Sequence, residues 1–190
     1  MQKRFSFVLT GGKSPIKLYK KINKSKINFK DIDFFFGDER HVSKKSKFSN
    51  LKLIKNNLFY QNGIKDKQIF SIDTNMRITG DIAKKYENKI KKYFKNKKIG
   101  FDLILLGMGL DGHIASIFSN KKSKKLVTSV YREDFKRISM SIKLINKSKQ
   151  IWLWLPTNKK SKLFQNFKNN KNIPVNLLKN KKLKIFSILQ

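Results

Sequence analysis

The sequence has 190 residues, 39% of them hydrophobic and 12% aromatic, which predicts one folded domain over residues 1–190 and excludes a disordered chain. It has no cysteine and no apolar run near the roughly 18 residues of a membrane span, so we expect no disulfide, no thiolate chemistry, no membrane partner and a cytoplasmic location. The net charge is +33, but 40 of the 45 basic residues are Lys spread through every segment, which predicts a solvated Lys surface and only non-specific nucleic-acid binding.

The first predicted strand covers residues 4–10 and ends at a glycine-rich turn. Pro15 suits the first turn of the helix that follows. A turn between a strand and a helix can hold a phosphate with its backbone N–H groups, although many α/β proteins use it only for packing. A charge and a hydroxyl accompany the glycines here. The residues of the turn are Gly11, Gly12, Lys13 and Ser14.

Charged residues follow the second predicted strand, which covers residues 33–36. Asp38, Glu39 and Arg40 leave the carboxyl end of this strand, where they form either a surface ion-pair cluster or part of a ligand site. Three further elements come next: a helix over residues 51–58 capped by Ser49-Asn50, a short strand over residues 68–72, and an amphipathic helix over residues 79–94.

The central stretch of the chain is FDLILLGMGLDGHIASIF, from residue 101 to residue 118. Residues 101–106 are a short apolar run that predicts a buried parallel strand, and a helix is expected over residues 114–118. The glycines between them place His113 and Asp111 beyond the carboxyl end of the strand, where open α/β sheets bind ligands. The alternative is that Asp111 is a turn residue or a helix cap and His113 merely begins a helix.

The remaining sequence continues the alternation of strands and helices, which predicts a three-layer α/β/α sandwich around a mostly parallel, Rossmann-like sheet. The strand over residues 151–155 (IWLWL) is expected to be buried on both faces. The predicted elements are strands over residues 126–131, 137–142 and 151–155, a helix over residues 158–167, and a last strand over residues 183–189.

Four segments together resemble the 6-phosphogluconolactonases, within the glucosamine-6-phosphate isomerase/6-phosphogluconolactonase family. The related glucosamine-6-phosphate deaminases share the early glycine turn and a D-G-H, but G-D-E-R and A-S-I-F look like the lactonase branch. The four segments are residues 9–15 (LTGGKSP) with Leu18-Tyr19, residues 35–40 (FFGDER) with Ser49-Asn50, residues 107–118 (GMG-x-DGH-x-x-S-x-F), and residues 137–146 with the strand at residue 151 and Lys160.

The sequence departs from the family pattern in three places besides its high Lys content, and one of them is that its terminal segments are shorter. Members usually carry a further strand and helix before the first glycine turn, whereas this chain begins almost at the turn, so it resembles an N-terminally shortened member. Lys13 stands where the family usually has a small hydroxyl residue. The missing N-terminal strand and helix should leave a sheet edge or face exposed, which puts the stability of the fold in question more than its chemistry.

The resemblance implies hydrolysis of 6-phospho-D-glucono-1,5-lactone to 6-phosphogluconate, with no cofactor and no metal. His113 is the expected general base, kept neutral by a helix N-terminus and oriented by Asp111 or Asp38. Backbone N–H groups of residues 107–112 are expected to face the oxyanion. The implied substrate-binding residues are Asp38, Arg40 and Gly109. The implied phosphate-binding residues are Gly11, Gly12, Lys13, Ser14, Arg137 and Lys160.

Two other functions compete with this expectation. One is an amino-sugar phosphate isomerase or deaminase of the same fold, which would release ammonia from glucosamine 6-phosphate. The other is a basic, non-specific nucleic-acid-binding protein on a relic enzyme scaffold, which the net charge of +33 suggests.

Overall fold

Six parallel strands form the central sheet of the computed structural model, which describes residues 4–187 except residues 61, 62, 96, 122, 169 and 180. The strands are β1 (Phe5–Leu9), β2 (Ile32–Phe36), β3 (Asp38–Arg40), β4 (Ile69–Phe70), β5 (Leu103–Gly107), β6 (Val127–Tyr131), β7 (Lys136–Met140), β8 (Ile151–Leu155) and β9 (Leu183–Ser187). The helices are α1 (Ile16–Asn23), α2 (Asn50–Ile54), which continues as a π-helix (Lys55–Phe59), α3 (Thr79–Tyr93), α4 (Ile142–Ile145) and α5 (Asn158–Phe167), with short 3-10 helices at Asp66–Gln68 and Pro174–Leu177. Over the residues described, none of these helices is long and apolar enough to cross a bilayer.

The central sheet has the strand order β4-β2-β1-β5-β8-β9, and every neighbouring pair is parallel. The chain first builds outward from β1 through β2 to β4, and then returns to the other side of β1 with β5. Because crossovers between parallel strands are right-handed, the helices of the two halves cover opposite faces of the sheet. The predicted α/β/α architecture is thereby confirmed, and the order reverses between β1 and β5.

A second, antiparallel sheet of three strands, in the order β3-β7-β6, lies beside the first and was not predicted. Asp38–Arg40, to which the sequence assigned no strand, forms its edge strand against β7, and Arg40 lies directly opposite Arg137. The strand expected over residues 137–142 ends at Met140, because Ser141 caps a short helix by accepting a hydrogen bond from the backbone N–H of Leu144.

Two other expectations from the sequence are wrong. In β8, Trp152 and Trp154 are half-buried while their neighbours are buried, so the strand is fully covered on one face only. No helix forms over residues 114–118. Ile114 instead makes β-bridges with Met108 and Ile117, and Ala115 has a φ of 47°, in the left-handed region that interrupts a right-handed helix.

Two buried tyrosines fix the carboxyl ends of the central strands. The hydroxyl of Tyr19 donates to the carbonyl of Thr10 at 2.6 Å and accepts from its N–H at 3.0 Å, just beyond β1. Tyr86 makes the same pair of bonds with Phe36, at the end of β2, at 3.0 and 2.9 Å. Burial raises the pKa of both hydroxyls, which remain neutral donors. The strand ends that lead into the cavity described next are thus held by core residues.

Candidate active site

A cavity of about 450 Å³ opens beyond the carboxyl ends of β1 and β5, where the strand order reverses. This is the position at which open α/β sheets bind ligands. Every site residue predicted from the sequence lines the cavity except Asp111, which reaches it through its hydrogen bond to His113. The fold therefore brings together residues that lie up to 149 positions apart in the chain, from Gly11 to Lys160.

The imidazole of His113 is held by the carboxylate of Asp111. The distance from His113 Nδ1 to Asp111 Oδ1 is 2.6 Å, and the same oxygen accepts from the backbone N–H of His113 at 3.2 Å. Burial raises the pKa of Asp111, but the charge and the hydrogen bonds of His113 lower it by more. The pKa of Asp111 therefore lies below its ordinary value. Since an ionised carboxylate only accepts, the ring donates from Nδ1 in this contact, and Nε2 is the nitrogen that carries the lone pair when the imidazole is neutral.

The glycines of the β5 loop make room for this pair. A Cβ atom at Gly109 would lie 2.2 Å from His113 Nδ1 and Cε1 and 2.6 Å from Asp111 Oδ1. Gly112 has a φ of +80°, and a Cβ there would meet the side chain of Ile173 at 2.2 Å. Any side chain at Gly109 thus displaces the His113–Asp111 pair, and at Gly112 it strains the turn that carries them.

The backbone N–H groups of this loop bond within the protein. Gly109 donates to the carbonyl of His113 at 2.8 Å, and Gly112 donates to the carbonyl of Gly109 at 3.1 Å. Gly107 donates to Thr10 Oγ1 at 3.4 Å. These three groups are therefore already engaged within the protein, and a role of the N–H groups of residues 107–112 toward an oxyanion stays a prediction. No helix starts at His113 either, so no helix dipole acts on its ring.

Asp38, the other candidate partner of His113, binds different groups. Its Oδ2 accepts from the hydroxyl of Ser116 at 2.6 Å, and its backbone carbonyl accepts from the side-chain amide of Asn50 at 3.0 Å. Burial raises the pKa of Asp38, against the lowering effect of the Ser116 bond and of nearby positive charge from His113, Arg40 and Arg137. Of the two aspartates left open by the sequence, Asp111 is the one that contacts the imidazole.

The glycine turn after β1 lies against Lys160 of α5. Lys160 Nζ donates to Ser14 Oγ at 2.7 Å and to the carbonyl of Met108 at 2.6 Å, so it links the turn to the β5 loop. Burial lowers the pKa of Lys160. Gly11 is required because a Cβ there would lie 1.9 Å from Asn50 Oδ1, and Gly12 has a φ of +77°. The turn and the ammonium together form a concave, positively charged wall of the cavity.

Three of the five arginines of the chain also line the cavity: Arg40, Arg132 and Arg137. Arg40 and Arg137 are direct partners across β3 and β7, and like charges in that position repel unless an anion lies between or near them. Arg132 and Arg137 both stand over the ring of Phe118, at 4.6 and 5.2 Å from its centroid. That ring also lies 4.4 Å from the ring of His113.

Comparison with known proteins agrees with this geometry. A protein-family model described as Glucosamine-6-phosphate isomerases/6-phosphogluconolactonase matches residues 1–186. The chain belongs to this family. The resemblance seen in the four sequence segments is confirmed, because the matched range contains all of them.

Curated relatives within the family include the 6-phosphogluconolactonase of Thermotoga maritima, 37% identical over 118 residues, which are 62% of this chain and 51% of that protein. The 6-phosphogluconolactonase of a Nostoc species is 31% identical over 174 residues, 87% of this chain and 72% of the relative. The matches to the relatives from Synechocystis and Chlamydia pneumoniae span 64% and 60% of their lengths. The chain thus spans about half to two thirds of several curated relatives.

Solved structures of the family superpose on nearly the whole chain. The crystal structure of 6-phosphogluconolactonase from Thermotoga maritima has a TM-score of 0.84 and 29% identity, covering 97% of this chain and 84% of that one. The 6-phosphogluconolactonase from Plasmodium vivax has a TM-score of 0.84 and 27% identity, covering 97% and 78%.

Sequence reasoning did not assign several lining residues to the site. Ser116 and Phe118 stand in the quoted motif, and Arg132 belongs to the scarce arginines, so both signals were present in the sequence. Asn50 was quoted with the FFGDER segment but was given no role in the site. Asp134 gave no such signal, because its contact with Arg137 depends on the turn of the antiparallel sheet. The lining residues not assigned from the sequence include Asn50, Ser116, Phe118, Arg132 and Asp134.

Glu39, the second acid of the G-D-E-R segment, has a structural place behind the cavity. Its buried carboxylate accepts from the backbone N–H groups of Arg40, Asn50 and Leu51, each at 2.8 Å, and from the hydroxyl of Ser49 at 3.2 Å. Burial raises the pKa of Glu39 to about 7. It therefore joins the N-terminus of α2, and with it Asn50, to β3.

Proposed function

We propose that this chain hydrolyses 6-phospho-D-glucono-1,5-lactone to 6-phosphogluconate. The observation that carries the proposal is one cavity in which a carboxylate-held imidazole stands beside Lys160 and three arginines. A neutral imidazole suits the activation of water, and fixed cations suit a phosphate dianion. Relatives bearing the name 6-phosphogluconolactonase, including one 31% identical over 87% of the chain, support the same activity.

In the proposed reaction, His113 Nε2 takes a proton from a water molecule whose oxygen attacks the lactone carbonyl carbon. Asp111 stabilises the imidazolium that forms, because its carboxylate already accepts from Nδ1 at 2.6 Å. The tetrahedral intermediate collapses with cleavage of the ring C–O bond, and the imidazolium returns the proton to the departing ring oxygen. The carboxylic acid product then ionises. Water is consumed and His113 ends in its starting state.

In this proposal, side-chain cations bind the negatively charged phosphate of the substrate. Lys160 and the Ser14 turn hold one side of the phosphate, and the guanidinium of Arg137 offers a bidentate fork from the other. Because the N–H groups of Gly107, Gly109 and Gly112 already bond to other groups of the protein, we assign the developing oxyanion to these cations as well. Arg40 and Asp38 are assigned to the hydroxyl groups of the sugar ring.

Hydrolysis of the purified lactone, corrected for spontaneous hydrolysis in a no-enzyme control, tests the proposal. Replacing His113 by Gln should lower kcat by roughly 10²- to 10⁴-fold, the usual contribution of general acid–base catalysis. The matched control is His41→Gln, because His41 binds Thr79 Oγ1 and the carbonyl of Met76 and does not line the cavity. Normal kcat in folded His113→Gln would contradict the proposal, as would ammonia release from glucosamine 6-phosphate without lactone hydrolysis.

A further inference from the structure

The guanidinium of Arg137, assigned above to the phosphate, already binds a carboxylate of the protein. Its NH1 donates to Asp134 Oδ1 at 2.9 Å and its NH2 donates to Asp134 Oδ2 at 2.5 Å, which is the bidentate geometry of an arginine–phosphate contact. The side chain of Arg137 is 10% exposed and that of Asp134 is 58% exposed. The pair therefore joins a buried cation to a carboxylate on the accessible turn between β6 and β7.

Arg137 is also held by groups other than Asp134. Its guanidinium lies 5.2 Å from the centroid of the Phe118 ring and 5.8 Å from that of Phe135, so aromatic faces fix its plane from the interior. Asp134 is held less firmly. Its Oδ1 also accepts from the backbone N–H of Phe135 at 2.9 Å, but 58% of its side chain is exposed. If the carboxylate leaves, the guanidinium stays where it is and its fork is free for another anion.

We propose that Asp134 is a resident counter-ion of Arg137, which the phosphate group of the ligand displaces on binding. This inference rests on the proposed function, in which Arg137 holds the phosphate. Asp134 neutralises the guanidinium of Arg137 while no other anion occupies the fork. On binding, a dianion with three acceptor oxygens replaces a monoanion in the same fork, and Asp134 turns into solvent. Asp134 thus weakens phosphate binding by competing for Arg137.

The expected size of the effect follows from the exposure of the pair. Partly exposed ion pairs are weak, so the guanidinium of Arg137 is free of Asp134 for a substantial fraction of the time. The apparent affinity for phosphate is the intrinsic affinity multiplied by that free fraction, so competition from Asp134 reduces it only modestly. Replacing Asp134 by Asn should therefore lower the Kd for a phosphate-bearing ligand by about two- to tenfold. If Asp134 instead positioned Arg137 for the phosphate, the same replacement would raise Kd.

The test measures binding of 6-phosphogluconate and of unphosphorylated gluconate by calorimetry to the full chain and its variants. The matched control is Glu133→Gln, which removes one negative charge from the adjacent residue of the same turn and of the same cavity wall. The Asp134→Asn substitution should lower the Kd for 6-phosphogluconate clearly more than Glu133→Gln does. It should leave the Kd for gluconate unchanged. In an Arg137→Ala background, the gain from Asp134→Asn should vanish.

Several results would overturn the counter-ion role. These are weaker binding of 6-phosphogluconate by Asp134→Asn, a gain no larger than that of Glu133→Gln, or an equal gain for gluconate. Lactone turnover by the wild-type chain is measured in parallel, so the two proposals fail separately. Tighter phosphate binding by Asp134→Asn without lactone turnover would refute the proposed function alone. Turnover without the tighter binding would refute the counter-ion role alone.

Discussion

Gly109→Ala is the substitution whose effect the geometry of the site defines most closely. The new Cβ would lie 2.2 Å from His113 Nδ1, and an ordinary contact requires at least 3.4 Å, so the imidazole moves by more than 1 Å. A misplacement of about 1 Å of a reacting group costs on the order of 10²-fold in rate. We expect kcat to fall by at least that factor while KM changes little, because the phosphate contacts lie elsewhere in the cavity.

The fold should tolerate the same substitution. Gly109 does not have a positive φ, and the His113 side chain is 31% exposed, so the ring can swing outward. We expect a loss of stability within about 1 kcal/mol, measured by urea denaturation. Gly80→Ala is the control, since a Cβ there meets nothing within 4 Å. A folded Gly109→Ala protein with more than half the wild-type kcat would refute the role of the His113–Asp111 pair.

Two further predictions concern the cations and the buried acid. Arg137→Ala and Lys160→Ala should each raise KM for the phosphorylated lactone about 10- to 150-fold with a smaller effect on kcat, and leave gluconolactone hydrolysis nearly unchanged; equal losses with both lactones would place the phosphate elsewhere. For Glu39, the pKa of about 7 in the folded protein exceeds the ordinary 4.5, so the folded state binds a proton more tightly and stability falls as pH rises from about 4.5 to about 7. Between about pH 5 and pH 7.5 the free energy of unfolding, measured by denaturant titration, should fall by about 2 kcal/mol more in the wild type than in Glu39→Gln. The same dependence of this free energy on pH in both proteins would contradict the prediction.

Local patterns predicted the elements that pack against the core. The apolar run of β5 and the helical spacing of α3 gave strand and helix within a few residues of their observed bounds. The cap of α2 was also predicted, and Ser49 Oγ accepts from the backbone N–H of Lys52. In these segments the local preference and the tertiary environment agree, because the apolar face that the pattern defines is the face that becomes buried.

The two errors near the cavity arise from contacts between distant segments. IASIF has apolar residues at helical spacing, but the N–H of Ser116 donates to Ser139 Oγ and its hydroxyl donates to Asp38, so long-range bonds replace those of a helix. β3 has three charged residues and no apolar pattern, and it becomes a strand because β7, about a hundred residues later, pairs with it. Neither partner is visible in a local window of sequence.

The scarcity of arginine relative to lysine pointed to the cavity, whereas the net charge did not. A charge of +33 made each lysine uninformative, but three of five arginines converge on one cavity, whose surroundings favour a guanidinium over an ammonium. Arg137 lies against two aromatic rings and offers two parallel donors, and a lysine would supply neither the planar face nor the fork. In a chain that otherwise uses Lys for positive charge, Arg stands where geometry as well as charge is needed. Arg132 follows the same pattern, since it lines the same cavity with its guanidinium over the ring of Phe118.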